Sequence, residues 1–180
     1  MRAYRLTAFD TLSDLHVAIH AAIMVIMAIM ASPLTFQASD VRAFTGLSPS
    51  QLREWTSRRG IIPADQPARG RGKHAQYAWN TVLVLRILVE LHRTFGVEIA
   101  AWADLGTRLR DSLTGTSPIG LHGKCLQICE GTFDITAAPV SSRGKATITV
   151  PLDPHLEVLA VGLGLPLPPG QLTLFPVVRA

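Results

Sequence analysis

The sequence predicts an α+β fold: a mainly helical N-terminal part interrupted by a β-hairpin, then a small antiparallel β-rich C-terminal region. Three observations predict it. Residues 38–62 (ASDVRAFTGLSPSQLREWTSRRGII) pattern as two short helices joined by a tight turn, and glycines then alternate with cations over residues 69–73. After residue 123 the apolar residues change from helical spacing to strand-like alternation.

In the first helix, Val41, Phe44 and Leu47 are spaced for one buried face, and Gly46 supplies the positive φ that a sharp turn between helices requires. Ser48 opens the second helix as its N-cap, with Pro49 at the first helical position, where no donor is lost. Leu52 and Trp55 pack inward. Pro49, Gln51, Arg53, Glu54 and Arg58 are left facing solvent or a ligand. Gln and Arg on a free helix face suit the base edges and phosphates of a major groove. The competing reading is a solvated charged face.

Beyond Gly60, the apolar pair Ile61 and Ile62 runs into PADQPARGRGKHAQY, where Gly70 and Gly72 alternate with Arg69, Arg71 and Lys73 ahead of Tyr77. This predicts a β-hairpin with a cationic tip. Its glycines let the backbone turn and approach a polyanion, and its cations supply charge for phosphate oxygens. A flexible basic linker is the alternative. A periodic helix follows from Trp79 and Asn80, with Val82, Leu85, Leu88 or Val89, and His92 at helical intervals, and Phe95-Gly96 ends it. A further helix over 97–113 turns Ile99, Trp102 and Leu105 or Leu109 inward.

The order helix, turn, helix, hairpin wing, helix, helix resembles the MerR family of winged-helix transcription regulators over about residues 36–112. The family's small-residue turn followed by Ser-Pro and Leu-Arg stands here as Gly46-Leu47-Ser48-Pro49-Ser50-Gln51-Leu52-Arg53, with Trp55 as the following aromatic. Arg59-Gly60-Ile61-Ile62-Pro63 matches its exit from the second helix, and Phe95-Gly96-Val97-Glu98-Ile99 its helix-Gly-helix joint. Two departures stand out. Where members carry a Tyr-Arg-x-Tyr-like run at the end of the wing, this chain has His74-Ala75-Gln76-Tyr77, its nearest arginines being Arg69 and Arg71. Where members continue into a long dimerising helix, Thr114 to Gly120 breaks the helix.

Charge is segregated in the same sense. From Arg42 to Tyr77, seven basic side chains meet two acids, a balance of +5 that exceeds the +4 of the whole 180-residue chain. From Leu113 onward four bases meet four acids. A localised positive field says where a polyanion docks, which a global excess does not. The expected DNA-binding set is Ser48, Ser50, Gln51, Arg53, Arg58, Arg59, Arg69, Arg71, Lys73 and Tyr77. Gln51 and Arg53 lie nearest base edges or flanking phosphates, Arg58 and Arg59 at the backbone, and the loop cations on neighbouring phosphates.

The C-terminal region, 119–180, has strand-like alternation at Lys124 to Cys129, Thr132 to Ile135 and Lys145 to Val150, with a turn at Ser141 to Gly144. His155 to Leu163 patterns as a short helix or extended segment, Gly164 to Gly170 cannot continue it, and Leu172 to Phe175 suits a last strand. A small sheet of this kind is suited to dimerising or docking a partner. His122, Cys125 and Cys129 invite a metal reading, but a strand sets the two cysteines about 13 Å apart at ~3.3 Å per residue, and the spacing matches no zinc signature. Buried small hydrophobes are the better reading for both cysteines.

Residues 1–32 form an apolar extension, with Val17 to Ala31 interrupted only by His20. Fifteen helical residues span about 22 Å, short of the roughly 20 residues a bilayer crossing needs. The readings are a packed helix, or a start placed upstream of Met24, Met27 or Met30, ahead of a secretory signal or a membrane tether. With 48% hydrophobic and 17% charged residues the chain can bury a real core. No P-loop, GxGxxG, GxSxG or HExxH is present, so no enzyme, cofactor or metal is expected. The expectation is a cytoplasmic, sequence-specific regulator binding double-stranded DNA as a homodimer. Its rivals are an excisionase-like or packaging-type architectural DNA-binding protein, and a protein-interaction module for a toxin or membrane partner.

Overall fold

The computed structural model describes residues 35–68, 70, 74–137 and 145–163. Its architecture is α+β, with five α-helices, a two-stranded antiparallel sheet and a three-stranded antiparallel sheet among those residues. In order these are β1 (Thr35–Gln37), α1 (Ala38–Thr45), α2 (Pro49–Arg53), β2 (Gln76–Ala78), α3 (Trp79–Phe95), α4 (Ala103–Ser112), β3 (Cys125–Cys129), β4 (Thr132–Thr136), β5 (Thr147–Pro151) and α5 (Asp153–Gly162). The expectations for the apolar extension 1–32, the turn at 141–144 and the segment 164–175 lie outside the described residues.

Helix α3 is the axis of the core. Nine of its seventeen residues are buried, from Thr81 to Leu91, where the sequence pattern indicated a single stripe. The stripe was too narrow because α3 is packed by α1, α4, α5 and both strands of the small sheet, so several faces need apolar side chains. His92, expected on the buried stripe, is half-buried and stands edge-on to Trp55, with ring centroids 6.0 Å apart.

The three-stranded sheet runs β4-β3-β5, with Cys129 opposite both Thr132 and Thr147. The central strand β3 is buried at four consecutive residues, Cys125 to Ile128, where the sequence pattern implies one buried face. Leu126, Ile128 and Val150 point into the core, with Phe133, Ile135 and Ile148 packed beside them. Strand β3 begins one residue later than expected and β5 runs from Thr147 rather than Lys145; α5 begins two residues earlier, with Pro154 in its first turn. The turn between β3 and β4 has only two residues, Glu130 (φ 48°) and Gly131 (φ 77°), both left-handed as a tight hairpin of this twist demands.

Helix α5 brings the chain back onto α1 and α3. Its Leu156 and Leu159 join the same hydrophobic cluster as Val41 of α1 and Leu109 of α4. Among the described residues, no helix is long and apolar enough to cross a membrane.

Candidate nucleic-acid interface

Strand β1 delivers the chain directly into α1. Gln37 caps the helix, and its backbone N–H donates to Asp40 Oδ2 at 2.9 Å. The helix ends at Gly46, whose φ of 69° is the left-handed conformation the sequence pattern required, with its N–H donating to the Arg42 carbonyl at 2.8 Å. Two arginines of α3 reach across to this end: Arg86 Nη1 donates to the Phe44 carbonyl and Arg93 Nη2 to that of Gly46. Cationic donors there meet both the free carbonyls and the negative end of the helix dipole.

Ser48 then caps α2 reciprocally. Its Oγ accepts from the Gln51 N–H at 3.2 Å, and Gln51 Oε1 accepts from the Ser48 N–H at 3.0 Å. Ser50 Oγ lies 3.0 Å from Ser48 Oγ. Expected at base edges, Gln51 thus has its carbonyl oxygen committed to the helix start, while its amide group is free to donate.

After Arg53 the helix widens into a π turn, Glu54–Arg58, closed by Arg59 N–H donating to the Glu54 carbonyl at 2.9 Å. The widening lets Ile61 and Ile62 return their N–H groups to the Trp55 carbonyl, so both isoleucines and Trp55 are buried together. Leu52, Trp55 and Thr56 face the core; Ser50, Gln51, Arg53, Ser57, Arg58 and Arg59 are exposed.

Arg53 of α2 and Arg42 of α1 border one groove of ≈ 220 Å³ between the two helices, with Thr56, Ser57 and Tyr77 at its side and floor. Arg42 also borders a broader depression over the turn, shared with Ser39, Ser48 and Gln51. Neither Arg42 nor Arg53 is paired or hydrogen-bonded through its side chain among the described residues, and both are exposed. Arg58 and Arg59 share Glu54, at 3.6 and 2.9 Å, with side chains 72% and 52% exposed. Pairs so exposed hold about 0–1 kcal/mol each, which a polyanion displaces readily.

Tyr77, expected on the DNA-facing surface, is instead 3% exposed. It is paired with Phe36 in the small sheet and its hydroxyl lies 3.3 Å from Thr56 Oγ1, so it braces the widened turn that follows α2. The reason is the strand's alternation: Gln76 and Ala78 take the more open positions, and the central residue of β2 turns inward.

Gln66 and Gln76 exchange both backbone hydrogen bonds, at 3.0 and 2.9 Å, and so close the loop 67–75 at its base, one residue from Tyr77. Asp65 Oδ2, accepting from the Ala78 N–H at 2.7 Å, fixes the incoming arm. Within the loop Gly70 has φ 71°. Arg69, Arg71 and Lys73 lie outside the described residues.

The structure thus brings together Ser48, Ser50, Gln51 and Arg53 on the open side of α2, with Arg58 and Arg59 beyond its widened turn. It adds Arg42, which the site reading missed although its position off the Val41 and Phe44 face was the available signal. Among the described residues no group of three or more His, Cys, Asp or Glu is placed to hold a metal. His122 Nδ1 lies 3.1 Å from Asp153 Oδ1, and Cys125 and Cys129 are free on one face of β3, with Cys125 buried and Cys129 half-buried. No protein-family model matches the chain, and no curated protein sequence matches it.

Proposed function

We propose that this chain is a cytoplasmic, sequence-specific DNA-binding regulator of the MerR-like winged-helix kind. Helix α2 enters the major groove, α1 crosses the sugar-phosphate backbone beside it, and loop 67–75 acts as a basic wing on neighbouring phosphates. The observation that carries the reading is the pair Arg42 and Arg53, exposed and without side-chain partners among the described residues, on the two sides of one groove, beside the base of a cation-rich loop. Exposed guanidinium groups on adjacent short helices suit phosphate oxygens and guanine edges, to which they bind bidentately. The chain acts as a homodimer, so its site is an inverted repeat.

Binding of the purified chain to genomic fragments, followed by anisotropy titrations on the enriched motif, tests this. The expected motif is palindromic. Arg53→Ala is expected to cost about 1–3 kcal/mol on that motif and little on random duplex. Arg42→Ala weakens both equally and lowers the salt slope by about 0.9, the value of one phosphate contact. Absence of an enriched motif together with salt-resistant binding to another protein would overturn the reading.

A further inference from the structure

Helix α5 is held onto the rest of the molecule by two dissimilar contacts. Near its C-terminal end, Gly162 lies against the ring of Phe44, so close that a Cβ there would stand 2.1 Å from Phe44 Cζ. Near its N-terminal end, the imidazole of His155, 4% exposed, sets Nε2 3.0 Å from Glu90 Oε2 on α3. Leu156 and Leu159 fill the space between.

The polar end of this seam is incompletely satisfied. Among the described residues, His155 Nδ1 is buried without a hydrogen-bond partner, and so is Arg86 Nε, one turn before Glu90 on α3. The charged groups acting on His155 are Glu90, which attracts its proton, and Arg86, which repels it, both from α3. From α1, Phe44 packs against α5 at Gly162, and its carbonyl already accepts from Arg86. On α5 itself, Asp153 is bonded to His122 and the Gly123 N–H, and Glu157 is exposed.

A neutral imidazole fits this setting, since Nε2–H donates to the Glu90 carboxylate and Nδ1 keeps a bare lone pair. A second proton would place an N–H in a buried position with no acceptor and a cation beside Arg86. We propose that His155 is an acid-released latch: protonation of its imidazole undocks α5 from α1 and α3 and uncovers Phe44 at the end of the helix that sets the α1–α2 turn.

Burial lowers the imidazole pKa below 6.5 and outweighs the attraction of half-exposed Glu90. A base whose folded pKa is lowered gives stability that is complete above about 6.5 and is lost as pH falls from there toward the folded value. With one proton taken up on opening, the opening equilibrium of α5 rises by up to about tenfold per pH unit in that window.

Hydrogen exchange of the full chain, corrected for intrinsic rates, reads this directly. Between pH 7.5 and 5.5, wild-type amides over 153–163 are expected to lose protection while the centre of α3 keeps its own. His155→Gln retains a donor toward Glu90 without a titrating group, and its α5 protection is expected to stay level across the same range. An equal loss in H155Q, or level protection in the wild type, overturns the latch. Should H155Q fail to fold, the ring-proton resonance of His155 in the wild type decides the matter: it is expected to titrate together with α5 opening. A resonance that titrates near pH 6.5 while α5 stays protected overturns the proposal. None of these readouts depends on DNA.

Discussion

Arg86 of α3 donates through Nη1 to the backbone carbonyl of Phe44 in the last turn of α1, tying the first helix of the pair to the core axis across 42 residues of sequence. Arg86 is half-buried, and its Nε finds no partner among the described residues. Arg86→Ala is therefore expected to destabilise the chain by about 1.5 kcal/mol, the low end for a hydrogen bond to a charged group, because an orphaned donor leaves with it. Urea denaturation measures this. Arg86→Lys keeps the charge but not the planar fork and should recover only part of the loss.

Gly162 closes α5 against Phe44. Replacing a helical glycine with alanine ordinarily stabilises by about 1 kcal/mol. Here the added methyl meets ring carbons at 2.1 and 2.5 Å, with Phe44 itself held edge-on to Phe36 at 5.2 Å, so the overlap wins. Gly162→Ala is expected to cost about 1–3 kcal/mol. Phe44→Leu in the same chain should remove part of that cost, a coupling readable from a double-mutant cycle.

Glu130 holds φ 48° at the first position of the β3–β4 turn. For most L-residues this conformation costs about 1–2 kcal/mol, and asparagine is among the few that tolerate it. The pair Glu130–Lys145, at 2.7 Å, is exposed on both sides and offsets little. Glu130→Asn should raise stability by about 0.5 kcal/mol and the melting temperature accordingly.

Tyr77 and Thr56 separate a structural from a contacting role. Tyr77→Phe removes the 3.3 Å hydroxyl contact and is expected to cost about 1 kcal/mol of stability. Because the ring is buried against the turn that follows α2, the salt dependence of the proposed DNA binding should not change. A reduced slope would return Tyr77 to the surface set.

Local signals were the legible part of this chain. Gly46, Ser48 and Pro49 act through conformations and caps that involve only neighbouring residues, and each occupies the position its chemistry implied. The presence of β3 to β5 was likewise readable, with ends shifted by one or two residues, but not the burial of four consecutive residues of β3. What the sequence hid depends on contacts between distant segments. Tyr77 is buried because β1 and Thr56 come to meet it, the all-round burial of α3 requires knowing how many elements surround it, and the Glu90–His155 pairing spans 65 positions. Arg42 carried no motif at all and entered the candidate site only because α1 and α2 fold side by side.

The widened turn at Glu54–Arg58 fixes how many residues this stretch must contain. Removing one would restore the ordinary pitch and swing the following chain by about 100°, carrying Ile61 and Ile62 away from Trp55 and out of the interior. Loss or gain of one residue here should thus unseat the interior, making the segment from Pro49 to Ile62 a fixed-length ruler.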